Sequence, residues 1–163
     1  MQPLTSNDIL RSFVNATKGE ASRVPMPGLH DVLWEQREYL GWRDQKSPQL
    51  GYLVHWVDDR PLGLVLKASE TALRPGIAAM CSWCRITRRS DEISLFSAPR
   101  AGQAGRDGNT IGTYVCDDLA CSHMIRTLPP ASPMQDPEQL LVARIDGLVS
   151  RVRAFTADVM KTA

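Results

Sequence analysis

Four cysteines constrain this chain more than any other feature. Cys81-Ser-Trp-Cys84 is a C-x2-C pair, Cys116-Asp-Asp-Leu-Ala-Cys121 is a C-x4-C pair, and the 163 residues contain no other cysteine. A two-residue gap lets one tight turn bring both sulfurs onto a single ion. Four thiolates suit Zn2+, whose filled d-shell imposes no geometry that tetrahedral sulfur would violate. Between the pairs, residues 92–98 (EISLFSA) and 110–116 (TIGTYVC) have strand character, and 121–128 begins as a helix. A knuckle, then a hairpin, then a helix carrying the last ligand in its first turn is a treble clef. Cys81, Cys84, Cys116 and Cys121 fill all four positions, so the reading is one structural Zn2+ with no open coordination position. Disulfides do not suit a reducing compartment, and a thioredoxin-type pair would need a strand–helix context that is missing. Ligand type alone leaves an iron–sulfur cluster open. His123, two residues past Cys121, is the one substitute ligand, and four cysteines make it unnecessary. His30 and His55 are distant, and His55 falls inside a strand pattern.

The remaining chain supplies the frame. Residues 5–18 read as a helix with Thr5 or Ser6 as N-cap, Asp8 in the first turn and Gly19 as stop. Two prolines and a glycine break the chain over 23–28, and the next segment reads as a short helix ending at Gly41. YLVHWV (52–57) and PLGLVLKA (61–68) flank Asp58-Asp59-Arg60 as a hairpin. Residues 99–109 carry three glycines and no large apolar side chain, which predicts a mobile loop. PPASPMQDP ends the helix after the second cysteine pair. Asp136 and Pro137 then start a long helix whose stripe Leu141, Ile145, Leu148, Val152, Phe155 and Val159 packs on the sheet. The expected class is α+β: an antiparallel sheet with a treble-clef zinc finger, an N-terminal helix and a long C-terminal amphipathic helix. Residues 1–28 form an N-terminal helix and linker, and 29–163 the main domain with its zinc module at 77–128.

Composition narrows the function. A net charge of +1 gives no overall field toward nucleic acid or an anionic membrane. No run of eighteen apolar residues and no secretory leader pattern occurs, so the expectation is a soluble cytoplasmic protein. Nucleophile-elbow, phosphate-loop, dinucleotide and H-E-x-x-H motifs are all missing. Asp58-Asp59 suits a turn and Asp117-Asp118 a helix start, which explains both acidic pairs without catalysis. The chain therefore reads as a binding protein, not an enzyme.

Trp34 with Gly41-Trp42-Arg43-Asp44, the hairpin ending in DDRPLGLVLK, MCSWC, and GTYVCDDLACS resemble the elongation-factor-G-binding protein family. That family comprises the FusB-type fusidic acid resistance proteins and their actinobacterial relatives, which share a C-terminal treble-clef zinc domain. The resemblance implies zinc on the four cysteines and elongation factor G as protein partner, with modulation of the factor's release from the ribosome. It also implies a partner-contact set of Trp83, Tyr114, Arg85, Arg88 and Arg89 beside the knuckle; the plainer reading of the same residues is that Trp83 and Tyr114 shield the zinc and pack the module while the arginines are solvated. This chain has room for only one clear helix before Pro25, where the resistance proteins carry a full helical domain. A monomer is expected, with no membrane partner. The alternative is an RNA- or ribosome-binding zinc module using Arg85, Arg88, Arg89, Arg100, Arg106 and Arg126 with Trp83 and Tyr114. Interleaved Asp91, Glu92, Asp107, Asp117 and Asp118 weigh against it.

Overall fold

The computed structural model describes residues 1–127 and 136–161. The proline-rich stretch read as a helix terminator lies, from 128 to 135, outside the described residues. Twelve α-helices and strands follow in order among those described, apart from three short 3₁₀ turns: α1 (Ser6–Ser12), α2 (Lys18–Ala21), β1 (Leu40–Arg43), β2 (Leu50–Val57), β3 (Arg60–Ala68), β4 (Ala78–Met80), β5 (Thr87–Arg89), β6 (Ile93–Pro99), α3 (Gly102–Arg106), β7 (Thr110–Cys116), α4 (Cys121–Met124) and α5 (Pro137–Met160). The main sheet has the order β1-β2-β3-β6-β7, antiparallel throughout, and β4 and β5 form a separate hairpin. The class is α+β, as expected.

Strand β2 shows why the chain has three layers. Gly51 to His55 are all buried, where a sheet with one wet face would alternate. Tyr52 and Val54 point into one cluster with Leu4, Ile9 and Val24 from the N-terminal segments and with Leu40 and Trp42 of β1. Leu53 points the other way, into the cluster that holds all four cysteines, Trp83 and the α5 stripe. The sheet thus lies between the N-terminal segments on one face and the zinc module with α5 on the other.

Three elements differ from the sequence reading. The first helix ends at Ser12 rather than at Gly19, because Phe13 turns extended and bridges Gly63. Gly63 has no room for a side chain, since a Cβ there would lie 2.4 Å from Ser12 Oγ. Thr17 and Glu20 then form a second capping box, so Gly19 sits inside α2 instead of stopping a helix. The expected helix up to Gly41 is two short 3₁₀ turns, Leu29–Asp31 and Trp34–Gln36, followed by β1. Leu40 and Trp42 share one cluster while Tyr39 joins the other, which is the period of a strand. The glycine-rich segment is ordered around α3. Arg100 N–H donates to Asn109 O and Asn109 N–H to Ala104 O, so backbone bonds rather than apolar burial close it. Gly105 lets α3 approach Arg100 O, which a Cβ would overlap at 1.9 Å.

The C-terminal helix follows the reading at its start, with Asp136 accepting from the Glu138 N–H and Pro137 at the first position. Leu148, Val152, Phe155 and Val159 are buried, while Leu141 and Ile145 are half-buried. No helix among the described residues is long and apolar enough to cross a membrane.

Candidate metal centre

The treble clef brings both cysteine pairs to one point. Strand β4 leads into the knuckle Cys81–Cys84, β7 delivers Cys116 at its last residue, and Cys121 opens α4. All four sulfurs are buried and lie within 4.8 Å of one another. Cys81 and Cys121 sulfurs are 3.5 Å apart, and those of Cys84 and Cys116 are 3.7 Å apart. A tetrahedron with Zn–S bonds of about 2.3 Å has sulfur–sulfur edges of about 3.8 Å. The cluster fits one structural zinc, held by Cys81, Cys84, Cys116 and Cys121.

The donor chemistry supports the fit. Without a cation the four sulfurs compete: hydrogen bonding with Cys116 and Cys121 pulls the Cys81 thiol down, while contact with Cys116 and Cys81 pushes Cys121 up. Such neighbours cannot all be thiolates until a dication neutralises them. Arg88 adds an independent sign. Burial alone would lower its guanidinium, but Cys116 and Glu92 hold it above the usual range. Its Nη1 is buried without a hydrogen-bond partner, 3.7 Å from Asp118. A negatively charged four-thiolate cluster offers that buried donor a further acceptor besides the carboxylates of Glu92 and Asp118.

Backbone geometry shapes the first knuckle. Cys81 N–H donates to Ile86 O, Arg85 N–H to Cys81 O, and Cys84 N–H approaches Cys81 Sγ at 3.4 Å. Arg85 closes the turn at φ +60°, a left-handed conformation in which glycine would be unstrained. The second ligand loop, 116–121, is held by groups from outside the zinc module. The Tyr39 hydroxyl donates to Leu119 O at 2.8 Å and accepts from Cys121 N–H at 3.2 Å. Burial first, then the neighbouring Cys121, raises its phenol well above the ordinary range, so it stays protonated and able to donate. Arg43 donates to both Asp117 O and Asp117 Oδ1 at 2.8 Å. Gly41 and Gly51 make room for Leu119: a Cβ on Gly41 would lie 2.6 Å from Leu119 O, and one on Gly51 2.8 Å from its Cδ1.

The contact residues expected beside the knuckle separate into two groups. Trp83 is only 2% exposed, its ring edge-on to Tyr39 and Phe155 at centroid distances of 5.6 Å each. It packs the module and offers no surface to a partner, which corrects its expected place in the contact set. The reason is position: the knuckle turns its second x residue under the sheet and α5, not toward solvent. Arg88 likewise points inward, bonded to Glu92 at 2.6 Å. Tyr114 is 42% exposed, and Arg85 and Arg89 are exposed, with Arg89 paired to Asp91. Ile77 and Met80 are both more than half exposed, although in the sequence they have the look of ordinary strand residues. By strand alternation Met80 lies on the same face of β4 as Ala78, which lines a groove of about 920 Å³ with Leu73, Ile77, Ile86 and Met124.

Most of the arginines that could serve RNA are occupied. Arg126 forks onto Glu38 at 2.8 and 3.0 Å, Arg100 bonds the last carbonyls of α5, and Arg106 bonds Gln103. Among the described residues only the Arg85 side chain, of the six, makes no hydrogen bond or ion pair. His123 is exposed and is not part of the sulfur cluster.

A family model described as the FBP C-terminal treble-clef zinc-finger matches residues 8–159. No curated protein sequence matches the chain at a significant level. Among solved structures, that of the fusidic acid resistance protein FusC is similar in fold, with a TM-score of 0.53 and 18% identity. The match covers 83% of this chain and 53% of FusC, so the chain spans about half that protein's length.

Proposed function

Since the chain belongs to the FBP C-terminal treble-clef zinc-finger family, we propose that it is a zinc-stabilised binding protein for translation elongation factor G. In this reading it acts in the cytoplasm as a monomer without catalysis, and its engagement modulates release of the factor from the ribosome. The observation that carries the reading is the surface of the zinc module. Ile77, Met80 and Tyr114 are three of the six large apolar side chains exposed among the described residues, and all three belong to that module. Exposed apolar side chains on a rigid scaffold, with the exposed Arg85 and Arg89 in the same module, suit a protein partner better than a nucleic acid. Rigid placement matters because little side-chain freedom is lost on docking. The similarity of fold to a fusidic acid resistance protein agrees with a partner in translation.

The test is a calorimetric titration of the zinc-loaded chain into elongation factor G at low and moderate salt, with Tyr114→Ala and Met80→Glu variants. The reading predicts one-to-one binding that survives moderate salt and weakens at least tenfold in each variant. Absence of binding by a folded, zinc-loaded sample overturns it. Binding to ribosomal RNA that falls steeply with salt would favour the nucleic-acid alternative.

A further inference from the structure

Helix α5 reaches the metal centre through one residue of the knuckle. Arg151 Nε donates to Trp83 O, the carbonyl between the two first-pair cysteines. One turn further along the helix, Phe155 packs edge-on against the Trp83 indole at 5.6 Å. Helix α5 therefore holds Trp83 by its backbone and by its ring, from two residues on one face. The same ring meets Tyr39, also at 5.6 Å, and the Tyr39 hydroxyl accepts from the Cys121 N–H. A continuous line of contacts runs from α5 through Trp83 and Tyr39 to the second ligand pair.

A second observation points the same way. Gly147 lies in the interior of the 24-residue helix α5, where glycine is among the poorest residues. Its φ is ordinary, so no turn requires it. What a side chain there would meet is Arg151: a Cβ would lie 2.8 Å from Nη1 and 2.9 Å from Nη2. The glycine leaves the space in which the guanidinium lies back along the helix toward the knuckle.

We propose that Arg151 is a positioning residue of the zinc centre, and that α5 acts as a latch whose seating on Trp83 limits release of the metal. The Arg151 guanidinium fixes the Trp83 peptide and so the span between Cys81 and Cys84. The latch works in both directions: the metal fixes the knuckle that α5 grips, and α5 holds the knuckle closed on the metal.

Gly147→Ala gives a test in which stability and positioning oppose each other. Alanine is the better helix former, so a purely structural role predicts equal or greater stability in urea and zinc release no faster than wild type. The latch predicts that the new methyl displaces the guanidinium. Transfer of zinc to a colorimetric chelator should then be roughly tenfold faster, as loss of one charge-assisted hydrogen bond implies. Arg151→Gln, which keeps N–H donors without the charge, and Arg151→Lys, which keeps the charge without the fork, should each accelerate release. The absorption bands of the cobalt-substituted protein should shift in all three, because the sulfur geometry changes. Wild-type release rates and unchanged cobalt spectra in folded Gly147→Ala and Arg151→Gln proteins would overturn the proposal.

Discussion

Removing the Tyr39 hydroxyl is the sharpest single-atom perturbation the metal centre offers. The Tyr39→Phe substitution keeps the ring against Trp83 and deletes one oxygen, which is fully enclosed and serves two backbone groups, Leu119 C=O and Cys121 N–H. A buried N–H left without an acceptor costs about 1–3 kcal/mol, and an orphaned carbonyl is tolerated somewhat better. Against this, the phenylalanine ring no longer has a hydroxyl to keep out of water. The balance is a destabilisation of about 2 kcal/mol. Leu119 holds φ +56°, a left-handed conformation costly for a non-glycine residue, and the Tyr39 bond to its carbonyl is one of the contacts that hold it. Urea unfolding of the zinc-saturated protein, followed by tryptophan fluorescence and circular dichroism, measures the loss directly. A change under about 0.5 kcal/mol, with the slope of the transition unchanged, would refute the claim that this hydroxyl fixes the second ligand loop.

Three further outcomes follow from the structure. His55 is buried with its Nε2 2.8 Å from Thr156 Oγ1, and burial, then the Arg153 charge, pushes its pKa down to about 4. Below about pH 6.5 the unfolded chain takes up a proton that the native chain refuses. About 3 kcal/mol of stability should therefore disappear as pH falls from about 6.5 to about 4; His55→Leu, measured in parallel, should lack that component of the slope. Gly41→Ala drives a methyl against Leu119 O and should cost about 1–3 kcal/mol in thermal or urea unfolding, with weaker zinc retention. Arg85→Gly relieves the left-handed strain at φ +60° and should raise stability by about 0.5 kcal/mol, the strain relief being partly offset by glycine's greater freedom when unfolded.

The parts of this molecule that were legible in sequence are those governed by local chemistry. Cysteine spacing identified the zinc site because ligand geometry is set within a few residues, and the 52–68 hairpin was readable from alternation around a turn. The Asp136 cap was readable for the same reason. What escaped depended on distant partners. Gly41 looked like a helix stop because the residue it accommodates, Leu119, is far along the chain. Trp83 looked like a surface anchor because nothing nearby in sequence shows that Phe155 and Tyr39 will enclose it. Phe13 leaves its helix for a bridge to Gly63, a long-range contact that outweighs helix propensity. Arg126 reads as a phosphate ligand in sequence because its partner Glu38 lies 88 residues away.

The central claim is that zinc closes a treble clef in order to present a protein-binding face. Its most direct test is titration of elongation factor G with the same preparation in three states: zinc-loaded, stripped with chelator, and zinc-restored. The account predicts one-to-one binding when zinc is present, loss of binding as the module opens on metal removal, and recovery when zinc returns. A zinc-loaded, folded protein that gives no binding heat at high concentration would contradict it, as would binding that is indifferent to the metal.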